Sequence, residues 1–214
     1  MTTLFRETVT CAGCQKSSEH DGVSSTNAFG SPDLDLRPPE MQRSTIRFWL
    51  RQCPHCGYVA PDLSRAAGDM SVVKSAAYRA ILQDTHFPEL ARRFLAHATL
   101  VAASPNSAAQ ARLHAAWVCD DMRQSTQAAE CRKLAAESFG AMKPFEDSEQ
   151  GVTTGAILVD VLRRAGEFDQ AAAECDALLQ CKRAAGPLRQ VLEFQRRLAV
   201  KQDASAHRVD ECVR

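Results

Sequence analysis

Apolar positions give the chain two textures. From about residue 64 they recur at helical spacing, as in Leu90, Phe94, Ala98 and Val101, or Ala109, Leu113, Ala116 and Trp117. That spacing lays one apolar stripe along each amphipathic helix. Helices are expected over 64–83, 88–103, 107–122, 126–142, 149–165, 169–183 and 187–202, with stops at Pro88, Pro105, Pro144, Gly166 and Gly186-Pro187. Before residue 61 the texture is extended. Phe5–Thr10 reads as a short strand. Ser44–Gln52 alternates, with Ile46, Phe48 and Leu50 on one face and Arg47, Trp49 and Arg51 on the other. Residues 21–40 between them are rich in Gly, Ser, Asn and Pro and predict a long loop, in which Pro38-Pro39 excludes a helix.

The pattern predicts an α+β, mostly α protein: a small β unit at 1–60, a helical unit at 61–205 and a tail at 206–214. A unit of about sixty residues buries too little apolar surface to be secure alone, so it calls for a staple. The helical part carries a weak repeat. Gln127-Ala-Ala-Glu-Cys131 recurs as Ala171-Ala-Ala-Glu-Cys175, preceded by Ala165-Gly166-Glu167-Phe168. A Gly closing one helix and a small residue opening the next predicts stacked helical hairpins of tetratricopeptide (TPR)-like character. Phe94, Trp117, Phe139 and Phe168 fall on apolar faces and are expected in the core.

The staple is legible. Cys11-Ala-Gly-Cys14 and Cys53-Pro-His-Cys56 are two Cys-x-x-Cys pairs. Two tight pairs supply the four thiolates of a tetrahedral Zn²⁺, each pair wrapping half of the coordination sphere. Gly57 after the second pair suits a zinc knuckle and Gln15 after the first departs from it, so the whole reads as a zinc ribbon with a lengthened loop. Four ligands close the site, which predicts a structural Zn²⁺. The competing reading is a thiol–disulfide oxidoreductase using Cys53 and Cys56, which requires a depressed pKa at a helix N-terminus. His20 and His55 are read as exposed. Cys119, Cys131, Cys175, Cys181 and Cys212 are scattered along helical sequence and read as free thiols of a reducing compartment.

Charge narrows the function. Lys and Arg number 26, Asp and Glu 26, so the chain lacks the basic excess that strong nucleic-acid binding requires. Neither a leader peptide nor an apolar run long enough for a membrane span is expected, and the cytoplasm is the expected location. The strip Arg47, Trp49, Arg51 and the loop residues Asp33, Asp35 and Arg37 are candidate partner-binding positions. No phosphate loop, metalloprotease helix or nucleophile elbow occurs, so no enzyme is expected. The leading expectation is an adaptor engaging a protein or peptide through its helices and the ribbon loop. A nucleic-acid-binding ribbon is the alternative.

Cys11-x-x-Cys14, Asp33-Leu-Asp-Leu-Arg-Pro-Pro-Glu40 and Cys53-Pro-His-Cys-Gly-Tyr58 together resemble a family of uncharacterised bacterial proteins that joins a zinc-ribbon-like Cys domain to a TPR-like tail. The resemblance implies metal binding and a scaffold role, and no reaction.

Overall fold

The computed structural model describes residues 2–143, 145 and 148–212. The protein is α+β and mostly α. Two antiparallel β-hairpins come first, β1 (Thr3–Thr10) with β2 (Ser17–Ser25), and β3 (Arg51–Gln52) with β4 (Val59–Ala60). Between them lie the one-turn helix α1 (Glu40–Arg43) and a 3-10 turn at Ser44–Phe48. Seven further helices follow: α2 (Ala76–Gln83), α3 (Glu89–Leu100), α4 (Pro105–Asp121), α5 (Ser125–Gly140), α6 (Glu149–Arg164), α7 (Phe168–Leu179) and α8 (Gly186–Val200).

Six of the seven expected helices match the sequence pattern to within a few residues. The first expected helix, 64–83, is split: a 3-10 turn at Met70–Lys74 precedes α2. Gly68 at φ +70°, with Asp69 and Ser75 as caps, breaks the run there. The expected stop at Pro144 lies outside the described residues.

Each helix from α2 to α8 packs on its neighbour in sequence, and α6 also meets α8. The joints repeat. Arg123 after α4, Gly166 after α6 and Gln202 after α8 all adopt positive φ. Behind each, a backbone N–H reaches back over the turn: Gln124 to the Cys119 carbonyl (2.9 Å), Glu167 to Leu162 (2.9 Å) and Asp203 to Leu198 (3.0 Å). These are Schellman closures, which satisfy carbonyls left open at a helix end. The repeated Ala-rich segments sit just beyond the first two, and their terminal cysteines, Cys131 and Cys175, are fully buried. Phe94, Trp117 and Phe139 are core residues, whereas Phe168 is half-buried.

Two expectations for the first sixty residues are corrected. Ser44–Gln52 is no strand; only Arg51 and Gln52 pair as one. Thr45 and Ile46 are both buried, which a 3-10 turn permits and an alternating strand does not. Thr45 Oγ1 donates to the Gln42 carbonyl (2.7 Å) and accepts from Trp49 Nε1 (2.9 Å), so side-chain bonds fix the turn. The loop expected from residue 21 begins only at 26, because β2 runs through Ser25. That strand is polar on both faces and therefore carries no hydrophobic alternation; its register is set by the turn at the cysteines.

Three apolar clusters form among the described residues, and each draws on both sides of residue 60. Ile46, Leu50 and Val59 join the main helical core. Cys11, Cys53 and Tyr58 pack with Tyr78, Ala96 and Leu100, and Leu34 packs with Val191 and Leu198.

Candidate metal centre and the clasp beside it

Each cysteine pair occupies the tip of a β-hairpin, and the two tips are built alike. In the first, Cys11 N–H donates to Lys16 O (3.0 Å) and Gln15 N–H to Cys11 O (2.8 Å). In the second, Cys53 N–H donates to Tyr58 O (2.8 Å) and Gly57 N–H to Cys53 O (3.0 Å). The fifth position must turn left-handed in both, with Gln15 at φ 59° and Gly57 at φ 78°. Gly57 meets this without cost, whereas Gln15 does so with its Nε2 donating to Ala12 O (3.1 Å). The departure seen in the sequence is thus absorbed locally.

The tips face each other. Cys11 Sγ lies 3.7 Å from Cys56 Sγ, and Cys14 Sγ lies 3.7 Å from Cys53 Sγ. All four sulfurs fall within 4.8 Å of one another, and none is in a disulfide. Thiolates about 2.3 Å from a central ion, at the corners of a tetrahedron, are about 3.8 Å apart. A disulfide would need about 2.05 Å. The cluster therefore has the size of a metal cage. Gly13 N–H donates to Cys11 Sγ (3.3 Å), the kind of bond that offsets sulfur charge. Burial, together with the neighbouring thiols, pushes Cys56 up to about 12, so four ionised sulfurs this close call for a cation among them. Burial raises Cys53, but the N–H groups of Cys56 and His55 and the neighbouring thiols outweigh it and hold it below its ordinary value. The pair sits between β3 and β4 and not at a helix N-terminus, so no helix dipole contributes. His55 is exposed and His20 half-buried; His20 Nε2 pairs with Ser18 Oγ (2.8 Å).

The other candidate residues are not gathered into one surface. Asp33, Asp35 and Arg37 are buried, each about 5 % exposed or less. They form a clasp between the loop, α4 and α6. Asp35 Oδ2 accepts from Trp117 Nε1 (2.8 Å) and Arg164 Nη1 (3.2 Å), and Asp35 Oδ1 from the Arg37 N–H (3.2 Å). Arg37 Nη2 donates to the Trp117 carbonyl (3.3 Å) and pairs with Asp121. Asp33 pairs with Arg43 (2.8 Å). Arg51 pairs with Glu7 (2.6 Å), Arg47 lies over its neighbour Phe48, and Trp49 turns inward against His114 and Trp117. The basic–aromatic strip is therefore not assembled, because the segment that would carry it is not extended.

Residues the sequence did not single out complete the clasp. Burial pushes the Asp120 carboxyl up, but Arg132, Arg164 and Arg37 outweigh it and hold it below its ordinary value. Arg132 grips both Asp120 oxygens, and Arg164 Nη2 adds a third bond (2.8 Å). Fully buried Arg163 pairs with Asp160 (2.6 Å) and donates to the carbonyls of Asp203 and Ser205. Backbone bonds from Leu34 to His207 O and from Val209 to Pro32 O (both 2.9 Å) then tie the loop to the tail.

Beside the second cysteine tip lies a recess of about 880 Å³, floored by Met70, Val73 and Leu82. His55, Lys74 and Arg79 are its ionisable nitrogen groups, and no carboxylate lines it. No described helix is long and apolar enough to cross a membrane. Comparison of the chain with protein-family models, curated proteins and solved structures finds no match in any of the three.

Proposed function

We propose that Cys11, Cys14, Cys53 and Cys56 bind one structural Zn²⁺ in a zinc-ribbon-like unit, and that the protein is a non-enzymatic adaptor. The observation carrying the metal assignment is the 3.7 Å spacing of the sulfurs, which matches the edge of a zinc–thiolate tetrahedron. Four thiolates leave no open coordination position, so the ion would hold the two hairpin tips together and activate nothing. Its role is to fix the wall of the adjoining recess.

The partner we assign to that recess is an acidic peptide with an apolar side chain. Its chemistry follows from the lining: apolar Met70, Val73 and Leu82 beside the cations of Lys74 and Arg79, with no carboxylate among the lining residues and the thiolate cage reaching the recess only at Cys56. The helical hairpins, read as a TPR-like array, carry the recess on α2. The loop with Asp33, Asp35 and Arg37 serves the clasp in this reading.

Metal analysis of protein purified without added zinc tests the first part: about one zinc per chain is expected, and a metal-free, folded protein would refute it. Fluorescence anisotropy with a labelled Asp/Glu–Leu peptide tests the second. Binding that disappears in Lys74→Glu/Arg79→Glu is expected, and no binding at low salt overturns it. Equal binding of a single-stranded oligonucleotide would instead favour a nucleic-acid ribbon.

A further inference from the structure

Both tryptophans of the chain line one place. Trp49, after the 3-10 turn, and Trp117, on α4, flank His114 with ring centroids at 5.0 and 4.7 Å, and Phe94 closes behind it at 5.3 Å. Two recesses of about 500 and 290 Å³ open on either side of this group and share Trp49, Gln110 and His114. Pro38 and Pro39 of the loop extend the wall of the larger one.

The polar groups there divide into two kinds. Those with charge or a fixed N–H are taken. Asp35 is held by Trp117 Nε1, Arg164 and the Arg37 N–H, and Trp49 Nε1 is held by Thr45. The others have no protein partner. Neither ring nitrogen of the largely buried His114 has a hydrogen bond among the described residues, and neither do the carboxamides of Gln110 and Gln42 at the rim. Burial pushes His114 down to about 4, so it stays neutral, with one nitrogen donating and one accepting.

The occupant follows by elimination. An ion would find no free countercharge. A purely apolar molecule would strand an imidazole and two amides that need partners. A proline-rich peptide needs indole N–H donors, and both are spent. A flat ring with an edge of donors and acceptors meets both demands, since aromatic walls stack on it and neutral amides and imidazole read its edge. We propose that this recess binds an uncharged heteroaromatic ring of nucleobase type, stacked against the partly exposed Trp49 and hydrogen-bonded by His114 and Gln110.

The proposal is independent of the zinc and peptide readings, and the tryptophans report on it. Adenosine, guanosine, cytidine and uridine are titrated into the full chain as purified, with excitation at the red edge of the indole band and phenol as a planar control. At least one nucleoside is expected to change the emission saturably, with phenol weaker. His114→Phe, which keeps the ring and removes both nitrogens, and Gln110→Ala should each weaken binding by roughly tenfold. Circular dichroism checks that the variants fold; should His114→Phe fail, the rim variant Gln110→Ala carries the test. Three results overturn the proposal: no saturable change with any nucleoside up to about 10 mM, affinity unchanged in the folded variants, or phenol binding as tightly as the best nucleoside.

Discussion

The four-thiol cluster, which brings the two hairpin tips together, and the carboxylate–guanidinium clasp, which joins the loop to the helices, are polar centres satisfied in opposite ways. In the clasp every carboxylate is paired, Asp35, Asp120 and Asp33 each facing an arginine, although the buried Nε atoms of Arg37, Arg132 and Arg164 find no partner among the described residues. The thiols offer one another only weak bonds, and in the proposed reading a cation completes them. One centre therefore depends on solution composition and the other on the chain alone. A structural metal's binding free energy becomes folding free energy, whereas a self-contained ion network adds little net stability and costs much when half of it is removed.

The largest expected effect separates the two. Cys53→Ser/Cys56→Ser removes metal binding worth on the order of 10 kcal/mol. Hydrogen exchange should then show β1 and β2 losing protection while the α5–α8 core keeps most of its own. Undiminished protection of β1 would sink the structural-metal reading. Next comes Asp35→Ala, which strands the Trp117 N–H in the interior and leaves Arg164 with Asp120 alone; it should cost about 3 kcal/mol in urea unfolding. Its zinc stoichiometry should match the unmodified protein; a parallel loss of metal would show that the two centres are one cooperative unit.

Smaller effects sharpen the comparison within the thiol cluster. Gly57→Ala should lower stability and Gln15→Gly raise it, each by about 1 kcal/mol, because both positions need a left-handed backbone. A thermal melt in excess zinc reads both, and two changes of the same sign would contradict the likeness of the tips. The smallest effect concerns the tail. Burial lowers the His207 pKa, but Glu211 and Asp203 outweigh it and hold it above 6.5. Its contribution is full below 6.5 and is lost as pH rises through the folded value. His207 and the Arg208 N–H hold Glu211 below 4.5, so that contribution is lost as pH falls through its folded value. Tail amides such as Val209 should be best protected between about pH 5 and 6.5, by 1 kcal/mol or less for partly exposed pairs. A flat exchange profile from pH 5 to 8 would remove His207 from the tail's support.

The same contrast explains what the sequence disclosed. The thiol cluster was legible because its ligands arrive in pairs three residues apart, a spacing that turn geometry dictates. The helices were legible because each needs only its own periodicity. Nothing local marks the clasp: Asp35 meets Trp117 across 82 positions and Arg164 across 129. Asp33 and Asp35 therefore read as partner-binding positions when they are interior carboxylates. The alternation over 44–52 misled because Trp49 packs against α4, and tertiary contact outweighed local pattern. Arg163 gave no signal at all; a buried arginine at the end of a helix looks like a favourable dipole partner.

The bond between Val209 and Pro32 bears on the order in which the molecule can come together. During synthesis, both cysteine pairs have left the ribosome while most of the helices are still unmade, so the capture of the proposed metal would precede everything else. The Asp33–Arg37 segment must wait for α4, then α6, and finally for residues 203–209 before its last partners exist. A nascent chain would thus carry a finished metal knot beside an open loop until nearly the last residues emerge. Any factor that grips the newborn protein has that loop as its longest-lived handle.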